Sequence, residues 1–284
     1  MSIHNLGIAK YNSPPKQKIK STDLTGKIIL VIGANSGFGV RIIEELQNSN
    51  ARVLTTVNSG TKLSSDFQLN LLNRDEITML GQSIYAAGIK LDGVVNCAGV
   101  AENPTKLSIS NEIEFEKIIV INFTSVYNLI KVLQPHLKIN SMFIQLAGGG
   151  ASGPMKYLPA YSASKAGVVR LVETLAEELK DSMININCLG PGPLKSAMTN
   201  SLLSTPDPEL QETIKRLIPG KFGYIDPKHT AKCVSAMLSD SFTKISGKFF
   251  SAQWDDWSNI DQLIFAANCS SSSYTLRRVL CLEE

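Results

Sequence analysis

"KIILVIGANSGFGVRIIEELQNSN", residues 27–50, decides how the rest of the chain is read. Residues 27–33 are apolar almost throughout and end on glycine. A run that is apolar at nearly every residue belongs to a strand covered on both faces. Residues 40–50 then carry helical periodicity. Between them Gly33, Gly37 and Gly39 take the spacing GxxxGxG. Glycine permits a tight turn there and lets backbone N–H groups approach a pyrophosphate. The helix N-terminus behind the turn adds a favourable dipole. A glycine-rich turn with no ligand is the plain alternative. The position, after an apolar strand and before an amphipathic helix, is the context the nucleotide reading requires.

The alternation continues along the chain. Strand-like runs occupy 52–57, 91–99, 142–148, 183–190 and 247–252. Helical runs occupy 112–137, in one piece or two, and 161–181. Apolar strands separated by helices argue for a parallel sheet. The expected fold is α/β: a Rossmann-type doubly wound parallel sheet of about seven strands with helices on both faces. It forms a single domain over residues 23–284, after a loose arm at 1–22. Residues 197–230 break the rhythm with Pro206, Pro208, Pro219 and Pro227. They read as a mobile cover over the carboxyl ends of the strands, where ligands bind in such folds. The tail, 253–284, contains Trp254 and Trp257 and has no assigned structure.

Composition removes several function classes. The chain is 43% hydrophobic and 19% charged, enough apolar content for a sizeable core. A net charge of +3, with the cations scattered, gives no nucleic-acid surface. His4, His136 and His229 are too far apart in sequence to suggest a metal cluster. Cys97, Cys188, Cys233, Cys269 and Cys281 have no CxxC spacing and read as free thiols. No apolar run reaches the roughly 18 residues of a membrane span. The first residues lack an apolar secretory core. A cytoplasmic protein with no membrane partner is expected.

Dinucleotide enzymes often carry an acid at the end of the second strand, where it holds the adenosine ribose hydroxyls. This chain has the neutral Asn58 and Ser59 there, with Lys62 nearby and no arginine. The missing acid removes the repulsion that would exclude a 2′-phosphate. The cofactor expected is NADP or NAD, with a lean to NADP.

Tyr161 and Lys165 stand four residues apart on one helical face. Hydride transfer between a carbonyl carbon and nicotinamide requires a proton to move at the oxygen. A free tyrosine, with a pKa of about 10, is a poor base at neutral pH. A lysine cation beside it favours the phenolate. Taken alone, the two residues are an ordinary helix pair.

The pieces together resemble the short-chain dehydrogenase/reductase family, over about residues 24–255. The motifs are Gly33-Ala34-Asn35-Ser36-Gly37-Phe38-Gly39, Asn96-Cys97-Ala98-Gly99 and Asn122 in "VINFTS". They continue with Tyr161-Ser162-Ala163-Ser164-Lys165 and Pro191-Gly192 followed by Leu194 and Ser196. The resemblance implies an NAD(P)-dependent oxidoreductase acting on a small carbonyl or alcohol. Cofactor contacts would come from the glycine turn, from Asn58, Ser59, Asn70 and Leu71 at the adenosine end, and from Asn96, Ala98 and Gly99. Lys165 would also bind the nicotinamide ribose, Asn122 would hold a water that feeds protons to Lys165, and Ser196 would bond the carboxamide. Asn96 also reads as a structural turn residue, and Ser196 as a helix N-cap. The helices at 112–137 and 161–181 resemble those that pair family members into homodimers and homotetramers. The tail "WDDWSN…YTLRRV" resembles those of members acting in sugar or polysaccharide metabolism.

Three departures stand out. Ile32 replaces a usual threonine, and Asn70 a usual aspartate. The segment between the second and third strands is short, so a helix is expected to be missing there. The family's catalytic serine would fall at Ala147 or Gly148, and neither has a hydroxyl. Losing one such donor costs on the order of 10²–10³ in rate. Ser152, later in the same loop, is the candidate replacement, with Tyr157 a weaker one. The alternative is a cofactor-binding sensor or scaffold with little catalysis, in which Ala147→Ser or Gly148→Ser would raise activity.

Overall fold

In the computed structural model, described for residues 13–15, 17–61, 64–270 and 272–276, the run at 28–32 becomes β1. The chain order is β1 (Ile28–Ile32), α1 (Gly37–Asn48), β2 (Arg52–Val57), β3 (Phe67–Gln68), α2 (Arg74–Ala86) and β4 (Leu91–Asn96). Then come α3 (Glu112–Ile119), α4 (Ser125–Leu133), β5 (Leu137–Leu146), α5 (Pro159–Leu179) and β6 (Asn185–Gly190). The last elements are α6 (Ala197–Leu203), α7 (Pro208–Leu217), α8 (Pro227–Met237), β7 (Phe249–Ser251) and α9 (Ile260–Asn268). The strands form one seven-stranded sheet in the order β3-β2-β1-β4-β5-β6-β7, parallel throughout.

Side chains alternate across that sheet. Leu30 and Ile32 join Val94, Phe143 and Ile186 in a core under α2, α4 and α5. Ile29 and Val31 join Val95, Ile144 and Leu189 in a second core under α1 and α8. Both faces are covered, which is why the strands read as continuous apolar runs. The order reverses beside β1, so the carboxyl ends of β1 and β4 open a crevice at the switch point.

The run at 112–137 is broken by a π-helical turn, Val120–Thr124, with Asn122 at its centre. Such turns insert a residue and frequently mark functional sites. By length and composition Glu112–His136 could cross a membrane, with a mean hydropathy of 1.2. Here Val126, Leu129, Ile130 and Leu133 are buried in the first core. Among the described residues between β2 and β3 there is no helix, as expected.

One expectation needs correction. Residues 17–22 are not loose. Ile19 is buried, and Gln17 donates to Asp255 O at 2.6 Å while accepting from Trp257 N at 3.0 Å. The segment 197–230 is mostly helical: it forms α6, α7 and the start of α8. Trp257 lies in the second core, stacked on Phe242 and edge-on to Phe250, with its indole N–H donated to Ser251 O. It is not free to touch a substrate. Trp254 packs edge-on against Phe222.

Candidate active site

The glycine turn sits where β1 meets β4. Gly33 adopts φ +81°, and a Cβ there would lie 2.9 Å from Ala98 N. A Cβ on Gly39 would overlap Gly33 O and lie 2.9 Å from Ser36 Oγ. Both positions therefore need glycine. Ser36 caps α1 by accepting from Gly39 N at 2.8 Å. Asn35 and Gly37 are exposed, Phe38 is half-buried, and a Cβ on Gly37 would meet nothing within 4 Å. The first turn of α1 carries no acid. The helix N-terminus thus faces open space with its positive end unneutralised, a cradle that fits a diphosphate.

Asn96 is buried at the end of β4. It donates to Gln145 Oε1 at 2.8 Å and accepts from Ala98 N at 3.2 Å, fixing the turn that leads to Gly99.

At the adenosine end, the second strand supplies no acid, but α2 does. Ser59 Oγ donates to Glu76 Oε1 at 3.3 Å, and Asn70 N donates to Glu76 Oε2 at 2.7 Å. Asn58 is exposed, Leu71 is half-buried, and Asn70 Oδ1 accepts from Leu72 N at 3.0 Å. Glu76 was not a candidate from the sequence, because helix α2 itself was not read there.

Tyr161 and Lys165 occupy the first two turns of α5. Lys165 is buried, its Nζ donating to Leu146 O at 3.1 Å and lying 5.7 Å from the centre of the Tyr161 ring. Burial holds the ammonium pKa down at about 8. Burial, with the charge of Glu102 behind it, pushes the Tyr161 phenol up to about 12. Asn122 reaches the same place from the π turn. Its amide accepts from Val100 N at 2.9 Å and donates to Val100 O at 2.7 Å and to Ser164 Oγ at 3.1 Å. Gly99 lies between the two: a Cβ on it would be 3.3 Å from Lys165 Nζ and 3.4 Å from Asn122 Oδ1.

The stretch 147–150, which carries no hydroxyl, passes against Tyr161. A Cβ on Gly148 would overlap the Tyr161 hydroxyl and lie 3.2 Å from its Cζ. Ala147 is buried, its N–H bonded to Leu189 O at 2.9 Å. Ser152 is exposed, its hydroxyl turned back to Gly149 O at 3.2 Å, so it is not brought to the tyrosine. Tyr157 is turned to Glu209 instead, at 2.8 Å.

Pro191 and Gly192 follow β6. Pro191 O accepts from Thr230 Oγ1 at 2.9 Å, Gly192 has φ +75°, and Leu194 is buried. Ser196 is the N-cap of α6 in a capping box with Thr199. The 197–230 segment packs beside Tyr161 in a small apolar cluster of Leu158, Leu202, Ile214 and Ile218, with Met155 and Met198 against it. Glu209 of α7 ties this segment to two loops by an ion pair to Lys106 at 2.7 Å and the bond from Tyr157.

The family model for short chain dehydrogenases matches residues 27–207, more than half of the chain. The chain belongs to the short-chain dehydrogenase/reductase family. As a member it is an NAD(P)-dependent oxidoreductase. It is 25% identical over 242 residues to the 3-oxoacyl-[acyl-carrier-protein] reductase FabG of Thermotoga maritima, covering 79% of this chain and 95% of that protein. It is 30% identical over 213 residues to nodulation protein G of Rhizobium sp. (strain N33), covering 69% of this chain and 83% of the relative. The solved RhlG/NADP active-site complex of Pseudomonas aeruginosa shares the fold, with a TM-score of 0.70 and 24% identity over 81% of this chain and 95% of that one. Tyr161, Lys165, Asn122 and Gly99 lie together beside the glycine turn, whereas Ser152 does not join them.

Proposed function

We propose that this chain moves a hydride between a bound nicotinamide dinucleotide and a carbonyl or secondary alcohol of a small molecule, with Tyr161 moving the proton. The observation that carries the reading is the convergence of Tyr161 and the buried Lys165 beside Gly99, at the mouth of the diphosphate cradle. When bound, the dinucleotide supplies or accepts the hydride.

The chain's residues do the rest. The N–H groups at the start of α1 hold the diphosphate. Tyr161 gives its proton to the substrate oxygen in reduction and takes it back in oxidation. Lys165, when charged, stabilises the phenolate left behind. Asn122 fixes the loop at Val100 that carries Gly99, and its π turn brings it next to Lys165. With no hydroxyl at 147 or 148, Tyr161 alone polarises the substrate oxygen, and Ser152 takes no part.

For the dinucleotide the reading leans to NADP, supported by the neutral Asn58 and Ser59 and by the NADP complex of RhlG. Glu76 is the group that opposes it. For the substrate, the relatives' names support a ketone on an acyl chain. A sugar keeps only Trp254 in its favour, because Trp257 is in the core. Exposed Ile113, Phe115 and Tyr127 on α3 and α4 support pairing into a homodimer or homotetramer, which sedimentation would read.

The test is oxidation of NADPH and NADH against a panel of 3-oxoacyl thioesters, simple ketones and aldoses. Turnover lost in Tyr161→Phe supports the reading. Cofactor binding with no turnover anywhere favours a sensor or scaffold.

A further inference from the structure

We infer that Glu102 is the positioning residue for Tyr161: its carboxylate anchors the start of α5 and sets the charge that the phenol faces. This rests on the assignment of Tyr161 as the proton-transfer group.

A helix leaves its first N–H groups without intrahelical partners. The usual remedy is an N-cap side chain. Here the N-cap position is Leu158, which has no side chain able to accept, and Pro159 follows it. The N–H groups of Ala160 and Tyr161 still need acceptors. Ala160 is buried, so water does not serve it. Glu102, in the loop after β4, reaches across to both. Its Oε1 accepts from Ala160 N at 2.7 Å, and its Oε2 accepts from Tyr161 N at 3.0 Å. The residue is only 7% exposed. An anion there also meets the positive end of the α5 dipole.

The loop bearing Glu102 is itself held, since Val100 is bonded through both N–H and C=O to Asn122. The backbone of Tyr161 is therefore tied through Glu102 to the segment that flanks Lys165.

The charges around the phenol are few. Lys165 faces it from the next turn of α5. Glu102 faces it from the β4 loop, with Glu114 of α3 behind it, bonded to Asn103 N at 3.3 Å. The cover contributes the phenol of Tyr224, which lies under Lys195. Cys188 of β6 faces Lys165 rather than the tyrosine. Burial first, and then Glu102, oppose the phenolate, while the Lys165 ammonium stands 5.7 Å from the ring centre. The balance keeps Tyr161 protonated at rest, which suits a site that gives its proton to a carbonyl oxygen.

The test uses the full chain labelled with ¹³Cζ-tyrosine, with the Tyr161 resonance assigned by its loss in Tyr161→Phe. Glu102→Gln keeps an acceptor and removes the charge. It is expected to show about threefold more phenolate at a fixed pH below the midpoint, the ratio for a half-unit shift. Amide exchange at Ala160 and Tyr161 is expected to stay slow in Glu102→Gln and to rise at least tenfold in Glu102→Ala. An unchanged Tyr161 titration in Glu102→Gln overturns the proposal. So does unchanged exchange in Glu102→Ala. If Glu102→Ala does not fold, Glu102→Gln decides alone. Neither readout needs turnover. A Tyr161→Phe enzyme that remains active would remove the assignment of Tyr161 and leave these two measurements intact.

Discussion

The Tyr161 hydroxyl occupies the space that a Cβ on Gly148 would take. Neither Ala147 nor Gly148 carries a hydroxyl, and the Tyr161 hydroxyl lies against the backbone at position 148. Restoring a hydroxyl at this position therefore displaces the catalytic phenol. Gly148→Ser is expected to lower kcat/KM by roughly tenfold or more, since misplacing a reacting group by about 1 Å costs on that order or beyond. Cofactor affinity should hold. Steady-state kinetics with fluorescence titration of NADPH check this. A more active Gly148→Ser enzyme would mean that the phenol has room to move.

Lys165 has a cost in stability. Its folded pKa of about 8 lies below the ordinary 10.5. Between those values the unfolded chain holds more protons, so stability from this group rises with pH. Below about pH 8 the penalty is fully present. Lys165→Met should unfold at higher urea than the native chain at pH 7, by on the order of 2 kcal/mol, and be inactive. The gap should shrink as pH climbs toward 10.5. Parallel urea melts from pH 7 to 10 measure it.

Glu76 places a carboxylate against Ser59, at the end of β2. Removing that charge should favour a 2′-phosphate. Glu76→Gln is expected to raise the NADPH-to-NADH affinity ratio roughly fivefold, the size of one partly screened charge contact. Fluorescence titration with both dinucleotides reads the ratio. A ratio that does not move would put the ribose out of reach of Glu76.

The clasp at Glu209 joins the cover to two loops through Lys106 and Tyr157. All three groups lie at the surface, where such pairs stabilise little. Glu209→Ala should leave the melting temperature almost unchanged and alter turnover by changing how the cover opens. A several-fold rise in the KM for substrate, with cofactor affinity constant, is the expected split.

Much of this architecture was legible from apolar runs ending on glycine, because strands buried on both faces carry no alternating polar residues to disguise them. Helix α2 was missed. Its exposed face begins Arg74, Asp75, Glu76, and Gly81 replaces a larger apolar residue where the helix passes Val132. Strand β3 has only two residues, too few to make a pattern. Tyr161, Lys165 and the glycine turn were visible because their spacing is local. Glu76 and Glu102 were not, since each meets its partners only after the chain has folded back, across 17 residues to Ser59 and 59 to Tyr161. Ser152 is close in sequence to the missing hydroxyl, but the loop turns its side chain onto its own backbone.

Gln17 bonds to Asp255 and Trp257, 238 and 240 residues further along. During synthesis the segment around Gln17 emerges well before its partners do. Ile19 shares the second core with Trp257 and with Leu263 and Ala267 of α9. A chain stalled before residue 255 would therefore lack Trp257, Leu263 and Ala267 of the second core and present an unfinished apolar face to chaperones.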